Sequence, residues 1–229
     1  MGGLRPLFPL GRGWNVNPQV DKWWLCFTAE QAGSTIKMER YGSGAPSISL
    51  ETSVDDGGSW QSFTVNSTKI TLSKVGDKVY FRAGPSGNAR IAKNLSNENN
   101  FIMTGKISAS GNLHSLLNAN EIPSTIPTYC YAELFYNCKS LISAVVPDAV
   151  TFEKSCYINM FESCTGLKSV TVHFKSFLDA SRTVNTDSWF RGTSGTSTGT
   201  FYCPVELGTQ STIQRDTSHC PNSWTVVNI

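Results

Sequence analysis

The stretch CYAELFYNCKSLISAVV at residues 130–146 has a second copy, CYINMFESCTGLKSVTV, at residues 156–172, an offset of 26 residues. The aligned pairs are Cys130 with Cys156, Leu134 with Met160, Phe135 with Phe161, Cys138 with Cys164, Leu141 with Leu167, Ser143 with Ser169, and Val146 with Val172. A looser third copy begins at Ser188, where Trp189 and Phe190 take the place of Met160 and Phe161, and it continues through GTFYC at residues 199–203.

A period of 20–29 residues with a fixed leucine indicates a leucine-rich repeat. Each coil is expected to make a short helical turn followed by a strand. One coil cannot bury its apolar side alone, so neighbouring coils must stack. Two clear copies are too few for an independent solenoid. We therefore expect LHSLLNANEIPSTIP (residues 113–127) to cap one end and SWTVV (residues 223–227) the other.

The cysteines argue against a secreted disulfide framework, because their number is odd and their spacing is wide. No C-x-x-C pair occurs, so a zinc site is not expected. Stacked helical segments lie about 8–10 Å apart, and a disulfide needs Cα atoms within about 6.8 Å. We therefore predict free, buried thiols. The seven residues are Cys26, Cys130, Cys138, Cys156, Cys164, Cys203 and Cys220.

Short strands separated by glycine-, aspartate- and asparagine-containing turns fill the first half of the chain. Several alternate with period two, as Ile36 and Met38 do. The predicted strands are residues 24–29, 34–39, 47–52, 60–65, 69–72, 78–82 and 101–107. This pattern predicts an antiparallel β-sandwich at residues 21–118, followed by a leucine-rich-repeat solenoid of short helical turns plus strands, with a C-terminal cap, at residues 119–229. The fold class is therefore mainly β. The polar segment at residues 84–100 is interpreted as a mobile loop rather than a binding loop.

The stretch TSVDDGGSW at residues 52–60 fits the pattern S-x-D-x-G-x-S/T-W and resembles the Asp-box, a turn found in sialidases. Only one copy occurs, and the arginines are scattered. The carboxylates at positions 39, 51, 55 and 56 lie in or beside strands, which seldom form the cleft that a two-carboxylate glycosidase needs. We interpret the stretch as a hairpin turn in which Asp55 accepts backbone N–H groups, Gly57 and Gly58 supply positive φ, and Trp60 folds over the hairpin.

Signals of other chemistry are weak. The histidines at positions 114, 173 and 219 are isolated, and no H-E-x-x-H, P-loop or G-x-S-x-G motif occurs. The sequence therefore predicts a non-enzymatic protein with no catalytic residue, no cofactor and no metal site. Trp23 and Trp24, at a strand start, and Trp14, among the first 20 residues, could stack on sugar rings or on a partner protein. The favoured interpretation places one of Trp23 and Trp24 in the core and the other over its edge.

The first 20 residues, MGGLRPLFPLGRGWNVNPQV, do not form the continuous apolar core of a signal peptide, because Pro6 and Pro9 interrupt it and Arg12 follows. We expect an extended arm that either stays solvated or lies in a groove on a partner. The anchoring residues in the second case are Leu4, Leu7, Phe8, Leu10 and Trp14. A net charge of +2 gives no long-range attraction to nucleic acid or anionic membrane, and no apolar run is long enough for membrane insertion.

The repeats YAELFYNCKSL and INMFESCTGLKSV, with SWFRG, GTFYC and CPNSWTVV after them, resemble BspA-like leucine-rich repeats over residues 121–229. The segments FTAEQAGSTIKM, SISLETSVDDGGSW, GDKVYFRA and FIMTGKISASGNLHSLL resemble the all-β module that precedes such repeats in proteins of gut anaerobes and their phages. The resemblance implies a surface-exposed binding or adhesion protein and implies no catalysis. Secreted bacterial members carry signal peptides and long repeat arrays, which this sequence does not show.

These observations favour a non-enzymatic bacteriophage protein on the virion surface, such as a head fibre, a capsid decoration protein or a tail-associated component. Its partners would be other virion structural proteins, bound through the arm, and a host cell-surface glycan or protein. A homo-oligomer is plausible, because short solenoids leave ends to cover. The first alternative is a bacterial cell-surface leucine-rich-repeat adhesin, and a glycan-acting enzyme ranks behind it.

Overall fold

The computed structural model describes residues 23–148, 151–178, 184–193 and 198–229. The protein is mainly β and is built around a large mixed sheet. The predicted arm and its anchoring residues Leu4, Leu7, Phe8, Leu10 and Trp14 lie outside the described residues. The strands are β1 Leu25–Ala29, β2 Ser34–Tyr41, β3 Leu50–Ser53, β4 Gln61–Phe63, β5 Lys69–Leu72, β6 Lys78–Ala83, β7 Glu98–Thr104, β8 Ile107–Ser110, β9 Thr125–Ile126, β10 Leu141–Val146, β11 Thr151–Phe152, β12 Ser169–Val172, β13 Thr200–Cys203 and β14 Thr225–Asn228.

Nine of these strands form one sheet in the order β14-β13-β12-β10-β8-β1-β6-β3-β4. From β4 to β8 the neighbours are antiparallel, and from β8 to β14 they are parallel. A second sheet has the order β5-β2-β7, and β9 pairs with β11. Two short 3₁₀ helices, Leu113–Leu116 and Val205–Leu207, complete the regular elements of the described segments. The change from antiparallel to parallel pairing occurs at β8, just before the repeats.

The large sheet continues across the predicted domain boundary at residue 118. Strand β8 precedes the boundary and pairs with β10, which follows it. One cluster of buried apolar side chains also runs through both halves, from Leu25 to Val226. The division into domains stays a prediction, but backbone hydrogen bonds and core packing join the two segments.

Each predicted strand in the first half overlaps an observed strand, although the ends differ by up to three residues, and the largest departure is near residue 105. The predicted strand 101–107 is wrong, because β7 ends and a turn at Gly105, with φ of +81°, leads into β8. A Cβ at position 105 would clash with the side chain of Ser34, so glycine suits this turn. Strand β7 also starts at Glu98, inside the predicted loop, where it pairs with Tyr41.

The rest of the predicted loop is held by side-chain and backbone bonds. Asn88 accepts from the N–H of Ser49 at 2.8 Å and donates to the carbonyl of Leu116 at 2.8 Å. Ile91 and Ala92 are fully buried, and both of their N–H groups donate to the carbonyl of Cys130. The segment is therefore anchored to both halves, and its mobility stays a prediction.

The repeats in the second half lie side by side in the register that the sequence predicts. Strands β10 and β12 pair in parallel, with Ser143 opposite Ser169 and Val146 opposite Val172. The aligned Leu141 and Leu167 are both fully buried. The sequence offset therefore corresponds to one step from strand to neighbouring strand.

The prediction of helical turns before these strands is wrong. In both repeats the backbone makes consecutive turns, with positive φ at every fourth residue: Tyr129, Glu133 and Asn137 in the first copy, and Ser155, Asn159 and Ser163 in the second. Alternate N–H groups bond three residues back, and the intervening ones donate sideways to the next copy, as Phe135 donates to the Met160 carbonyl at 3.1 Å. Sideways bonds bring the segments closer together than packed helices, whose N–H groups all point along their own axis.

An aromatic stack follows from this close spacing. Phe101, Phe135, Phe161 and Phe190 are buried, with successive ring centroids 5.7, 5.7 and 5.8 Å apart and rings within 19° of parallel. Phe101 comes from β7, so the all-β half supplies the first ring of the stack. The third copy also fits the prediction, because Phe161 donates to the Trp189 carbonyl as Phe135 does to that of Met160.

The ends of the repeat region differ from the prediction at one side only. The first repeat strand, β10, is covered by β8, whereas residues 113–127 supply the 3₁₀ helix, whose His114 contacts Tyr131 of the first repeat, and β9. At the other side, β14 is the last strand of the sheet, and Trp224 is buried against Phe190 at a centroid distance of 5.3 Å. The tryptophan-containing tail therefore lies where the sequence places it.

All seven cysteines are buried and free. The Cys138 thiol donates to the Phe101 carbonyl at 3.0 Å, and the Cys164 thiol donates to the Phe135 carbonyl at 2.9 Å. In the third copy the Thr193 hydroxyl makes the same bond to the Phe161 carbonyl at 2.6 Å. Burial raises the pKa of the Cys138 thiol to about 12, so this group stays a neutral donor.

Candidate functional site

The Asp-box-like stretch forms a tight turn between β3 and β4. The Asp55 carboxylate accepts from the Ser53 hydroxyl at 2.6 Å, from the Ser59 N–H at 2.9 Å and from the Ser59 hydroxyl at 2.7 Å. Hydrogen bonds from the hydroxyls of Ser53 and Ser59, and from the Ser59 N–H, hold the pKa of the Asp55 carboxyl well below its usual range. The carboxylate is thus committed to the turn.

Positive φ in this turn falls on Asp56, at +59°, and on Gly57, at +84°, whereas Gly58 does not have positive φ. The prediction for Gly58 is therefore wrong, and Asp56, just before Gly57, has the other left-handed backbone conformation of the turn. Aspartate tolerates that conformation better than most residues. The Asp56 carboxylate also accepts from the Tyr80 hydroxyl at 2.8 Å, which ties the turn to β6.

Trp60 follows the turn and packs edge-to-face on Trp24, with ring centroids 4.8 Å apart. The Trp24 indole N–H donates to the Ala119 carbonyl at 3.3 Å, and the ring also contacts Tyr80. Trp23 and Trp24 are both half-buried, so neither occupies the core as the favoured interpretation expected. These contacts place the indole of Trp60 at a defined position on the surface.

Arg82 lies between Trp60 and Glu51. Its guanidinium carbon is 3.9 Å from the Trp60 ring centroid, a cation–π distance. Its Nε donates to Glu51 Oε2 at 2.8 Å, and a second guanidinium nitrogen lies 2.7 Å from the same oxygen. Glu51 and Arg82 are directly opposite each other on β3 and β6, so the strand register creates the pair.

A cavity of about 420 Å³ opens beside this group. We call the Trp60, Arg82 and Glu51 side chains together with this cavity the Trp60–Arg82 site. The loop after β6, from Gly84 to Gly87, forms one wall, and Asn118 and Asn120 form another. The ion pair and the amide groups that line this open cavity can hydrogen-bond to a polar ring such as a sugar, and the Trp60 ring holds the guanidinium in place through the cation–π contact.

Each carboxylate considered for hydrolysis has a partner within its own element or on a neighbouring strand. Glu39 contacts the Lys37 ammonium and accepts from the Tyr41 hydroxyl. Glu51 is paired with Arg82, and Asp55 and Asp56 belong to the turn and the Tyr80 contact. Across the described segments, no group of three histidine, cysteine, aspartate or glutamate side chains is placed to hold a metal ion.

The histidines lie apart from this site. His114 is fully buried, with Nδ1 2.9 Å from the Tyr131 hydroxyl, and burial lowers its pKa to about 4. His219 Nδ1 lies 2.8 Å from an Asp216 carboxylate oxygen. His173 is half-buried after β12, and burial lowers its pKa. Their contacts are those of structural side chains.

The sequence pointed to Glu51 and Trp60, but it did not predict that Arg82 lies beside them. A signal was present, because Glu51 and Arg82 have opposite charges and occupy half-buried, outward positions in two predicted strands. Pairing those two strands required the sheet order, which a single sequence does not give. Asn118 and Asn120 were missed because they lie in a segment read as a cap.

Comparison with family models gives no match, and searches of curated proteins and of solved structures find no significant match either. None of the helices in the described ranges is long and apolar enough to cross a membrane.

Proposed function

We propose that this protein is a non-enzymatic binding protein of a bacteriophage virion surface, where it adheres to host-surface glycans through the Trp60–Arg82 site. A head fibre, a capsid decoration protein and a tail-associated component all fit this role. The observation that carries the binding function is the Arg82 guanidinium held 3.9 Å over the Trp60 ring beside the cavity.

We also propose that the two halves of the chain are a β-sandwich and a short solenoid. Parallel strands β10, β12, β13 and β14, with hydrogen-bonded turn segments stacked beside them, support a short solenoid of the BspA-like leucine-rich-repeat type. The antiparallel strands of the first half, divided between two sheets, support a β-sandwich. The resemblance of these segments to surface adhesion proteins then supports a binding role.

Several contacts favour binding over glycan cleavage. A glycosidase needs one carboxylic acid that can donate a proton and a second carboxylate about 5–10 Å away. Asp55 has a lowered pKa because of its turn bonds, so it is a poor proton donor. Glu51 is held by Arg82. The carboxylates near the Trp60–Arg82 site thus serve the turn and the ion pair.

Anchoring is assigned to residues 1–20, whose five large apolar side chains suit a groove on another virion structural protein. Many copies on one particle would make weak glycan contacts effective, since linked sites raise the effective concentration. A bacterial surface adhesin with the same binding site is the alternative, and mass spectrometry of purified virions separates the two.

The test of the binding function is a glycan array probed with the full chain and with Trp60→Ala. For each glycan that the unaltered chain binds, we expect the array signal of Trp60→Ala to be at least tenfold lower. Val54→Ala changes an exposed apolar residue in the same hairpin and is the matched control. Equal binding by Trp60→Ala and the unaltered chain, or turnover of any glycan that is lost in Asp55→Ala, would overturn the proposal.

A further inference from the structure

A second cavity, of about 340 Å³, is lined by residues of β2 and β7 from the smaller sheet and of β3 and β4 from the large sheet. It shares no lining residue with the Trp60–Arg82 site. Leu50 lines this cavity, whereas the next residue of β3, Glu51, lines the other. Successive side chains of a strand point to opposite faces, so the two cavities lie against opposite faces of β3.

Arg40 supplies the charge of this cavity. It is on the same face of β2 as Ile36 and Met38, which are fully buried, so it continues a row of core residues. One guanidinium nitrogen of Arg40 donates to the Ala45 carbonyl. The Arg40 backbone N–H donates to the side-chain oxygen of Asn66 at 2.8 Å. These two bonds hold the arginine at the wall of the cavity.

The positive charge has no carboxylate beside it in the wall. The described lining contains no aspartate or glutamate, and Arg40 is its only charged residue. No ion pair joins Arg40 to a carboxylate of the described segments, whereas Arg82 is paired with Glu51. The neighbouring acid on β2, Glu39, belongs to the other face of the strand and contacts Lys37. A guanidinium has five N–H donors, so Arg40 keeps donors for an anion.

The rest of the lining combines apolar and hydroxyl-bearing side chains. Ile48 and Val65 are half-buried and pack against the core. Ser47 and Thr64 are exposed, and within the described ranges their hydroxyls make no hydrogen bond to the protein. A sugar ring offers C–H groups to the first pair and hydroxyls to the second. The volume also lies within the range of about 300–1,000 Å³ that is typical of small-ligand pockets.

We propose that this cavity binds a sugar unit that carries a carboxylate, such as a uronic acid, with the Arg40 guanidinium donating to that carboxylate. The planar guanidinium can match a carboxylate through two parallel N–H···O bonds, which fix direction and supply charge. The anion site is argued from the lining of the cavity, whereas the choice of a sugar rests on the proposed glycan-binding function.

The test is a two-dimensional amide NMR titration of the full chain with the methyl glycosides of glucuronic and galacturonic acid. Methyl glucoside and methyl galactoside are the neutral counterparts, and a trialanine peptide offers a carboxylate without a sugar. We expect at least one of the two acidic glycosides to shift amides at residues 39–41, 47–50 and 63–66. The neutral glycosides and trialanine, at the same concentration and ionic strength, should leave these amides unchanged.

Three variants separate the role of Arg40 from a general effect of charge. Arg40→Gln should weaken binding of the acidic glycoside by about tenfold or more, because it removes a charged donor. Ser47→Asp adds a negative charge at the exposed rim and leaves Arg40 unaltered, and it should also weaken binding. Lys69→Gln removes an exposed cation from β5, outside the cavity, and should bind normally.

Unshifted amides with both acidic glycosides, equal shifts with the neutral glycosides, or shifts with trialanine alone would refute the proposal. Equal affinity of Arg40→Gln would refute it too, and would leave Arg40 as an inward-pointing charge that discourages edge-to-edge pairing of sheets. The two binding functions fail separately, because the Trp60–Arg82 site is monitored at residues 82–87 and 118–120 with the glycans found on the array. A spectrum with the dispersion of the unaltered chain verifies that each variant is folded.

Discussion

The Cys138 thiol donates to the carbonyl oxygen of Phe101 across 3.0 Å and thereby joins the first repeat to strand β7 of the other half. Cys164 and Thr193 make the equivalent bond in the next two copies. A thiol and a hydroxyl are interchangeable here because each supplies one donor to a buried carbonyl. The series defines a buried polar contact that recurs with the repeat.

The third member of this series gives the first stability prediction. Thr193→Val keeps the shape of the side chain but removes its donor to the Phe161 carbonyl and its acceptor for the Cys164 N–H. Leaving buried groups unpaired should lower the free energy of unfolding by about 1–3 kcal/mol. Urea denaturation measures this, with Thr171→Val on strand β12 as control. A change below about 0.5 kcal/mol would show that the contact is not needed.

The aromatic stack makes a second prediction, at its centre. Phe135→Ala should lower the free energy of unfolding by about 3–5 kcal/mol, because it removes a buried ring between Phe101 and Phe161. Tyr136→Ala changes the next residue, which is exposed, and should cost much less. Similar losses in the two variants, measured by denaturation, would contradict a dominant role for the stack.

The buried His114 leads us to expect that the folded protein is less stable in acid. Its pKa is lowered by burial to about 4 in the folded chain, whereas an unfolded histidine titrates near 6.5. The unfolded state therefore binds more protons between these values, so stability falls as the pH drops from about 6.5 to about 4. The loss attributable to this residue is about 3 kcal/mol. Comparing denaturation of the unaltered chain and His114→Asn at pH 7.5 and pH 4.5 checks it, and an identical pH dependence would exclude the effect.

For Glu98 we expect the opposite pH dependence, a contribution to stability that falls as the pH rises. Its folded pKa, about 7, lies above the ordinary glutamate value because of burial and the Glu133 charge, and Tyr41 and Cys138 line the same pocket between β7 and the first repeat. The folded state then holds the proton more tightly, so this stabilisation is present below about pH 4.5 and is lost as the pH rises through about 7. Glu98→Gln should be more stable than the unaltered chain at pH 8 by about 1–2 kcal/mol, reduced for screening by solvent.

Thermal or urea unfolding at pH 8 and pH 4 measures this difference, and the advantage of Glu98→Gln should disappear at the lower pH. Glu206→Gln serves as control, because Glu206 is exposed on the surface and paired with Lys175. A variant that is less stable than the unaltered chain at pH 8 would mean that the Glu98 carboxylate is stabilising when ionised.

Apolar periodicity predicted most of the strands, because alternation reports which face of a strand is buried. The repeat offset likewise predicted the parallel register of β10 and β12. Polar residues such as Glu98 and Asn99 were not predicted to be in a strand, because sheet pairing buries them and they add no apolar alternation to the sequence. The helical turns were predicted wrongly because the left-handed positions carry tyrosine, glutamate and serine as well as asparagine, so no glycine pattern marks them.

The candidate sites were less accessible to sequence reasoning, for a physical reason. Arg82 and Glu51 meet through strand pairing across 31 residues of chain, and Glu98 meets Glu133 through the junction between the two halves. Such contacts depend on the order of strands in a sheet. Local patterns predict an element and its buried face, but they leave the neighbour of each strand open.

Strand β8 bonds to β1 on one side and to β10 on the other, so a single ladder of hydrogen bonds runs through both halves of the protein. The two halves therefore lack a hinge at this point, and the Trp60–Arg82 site keeps a fixed position and direction relative to the repeats.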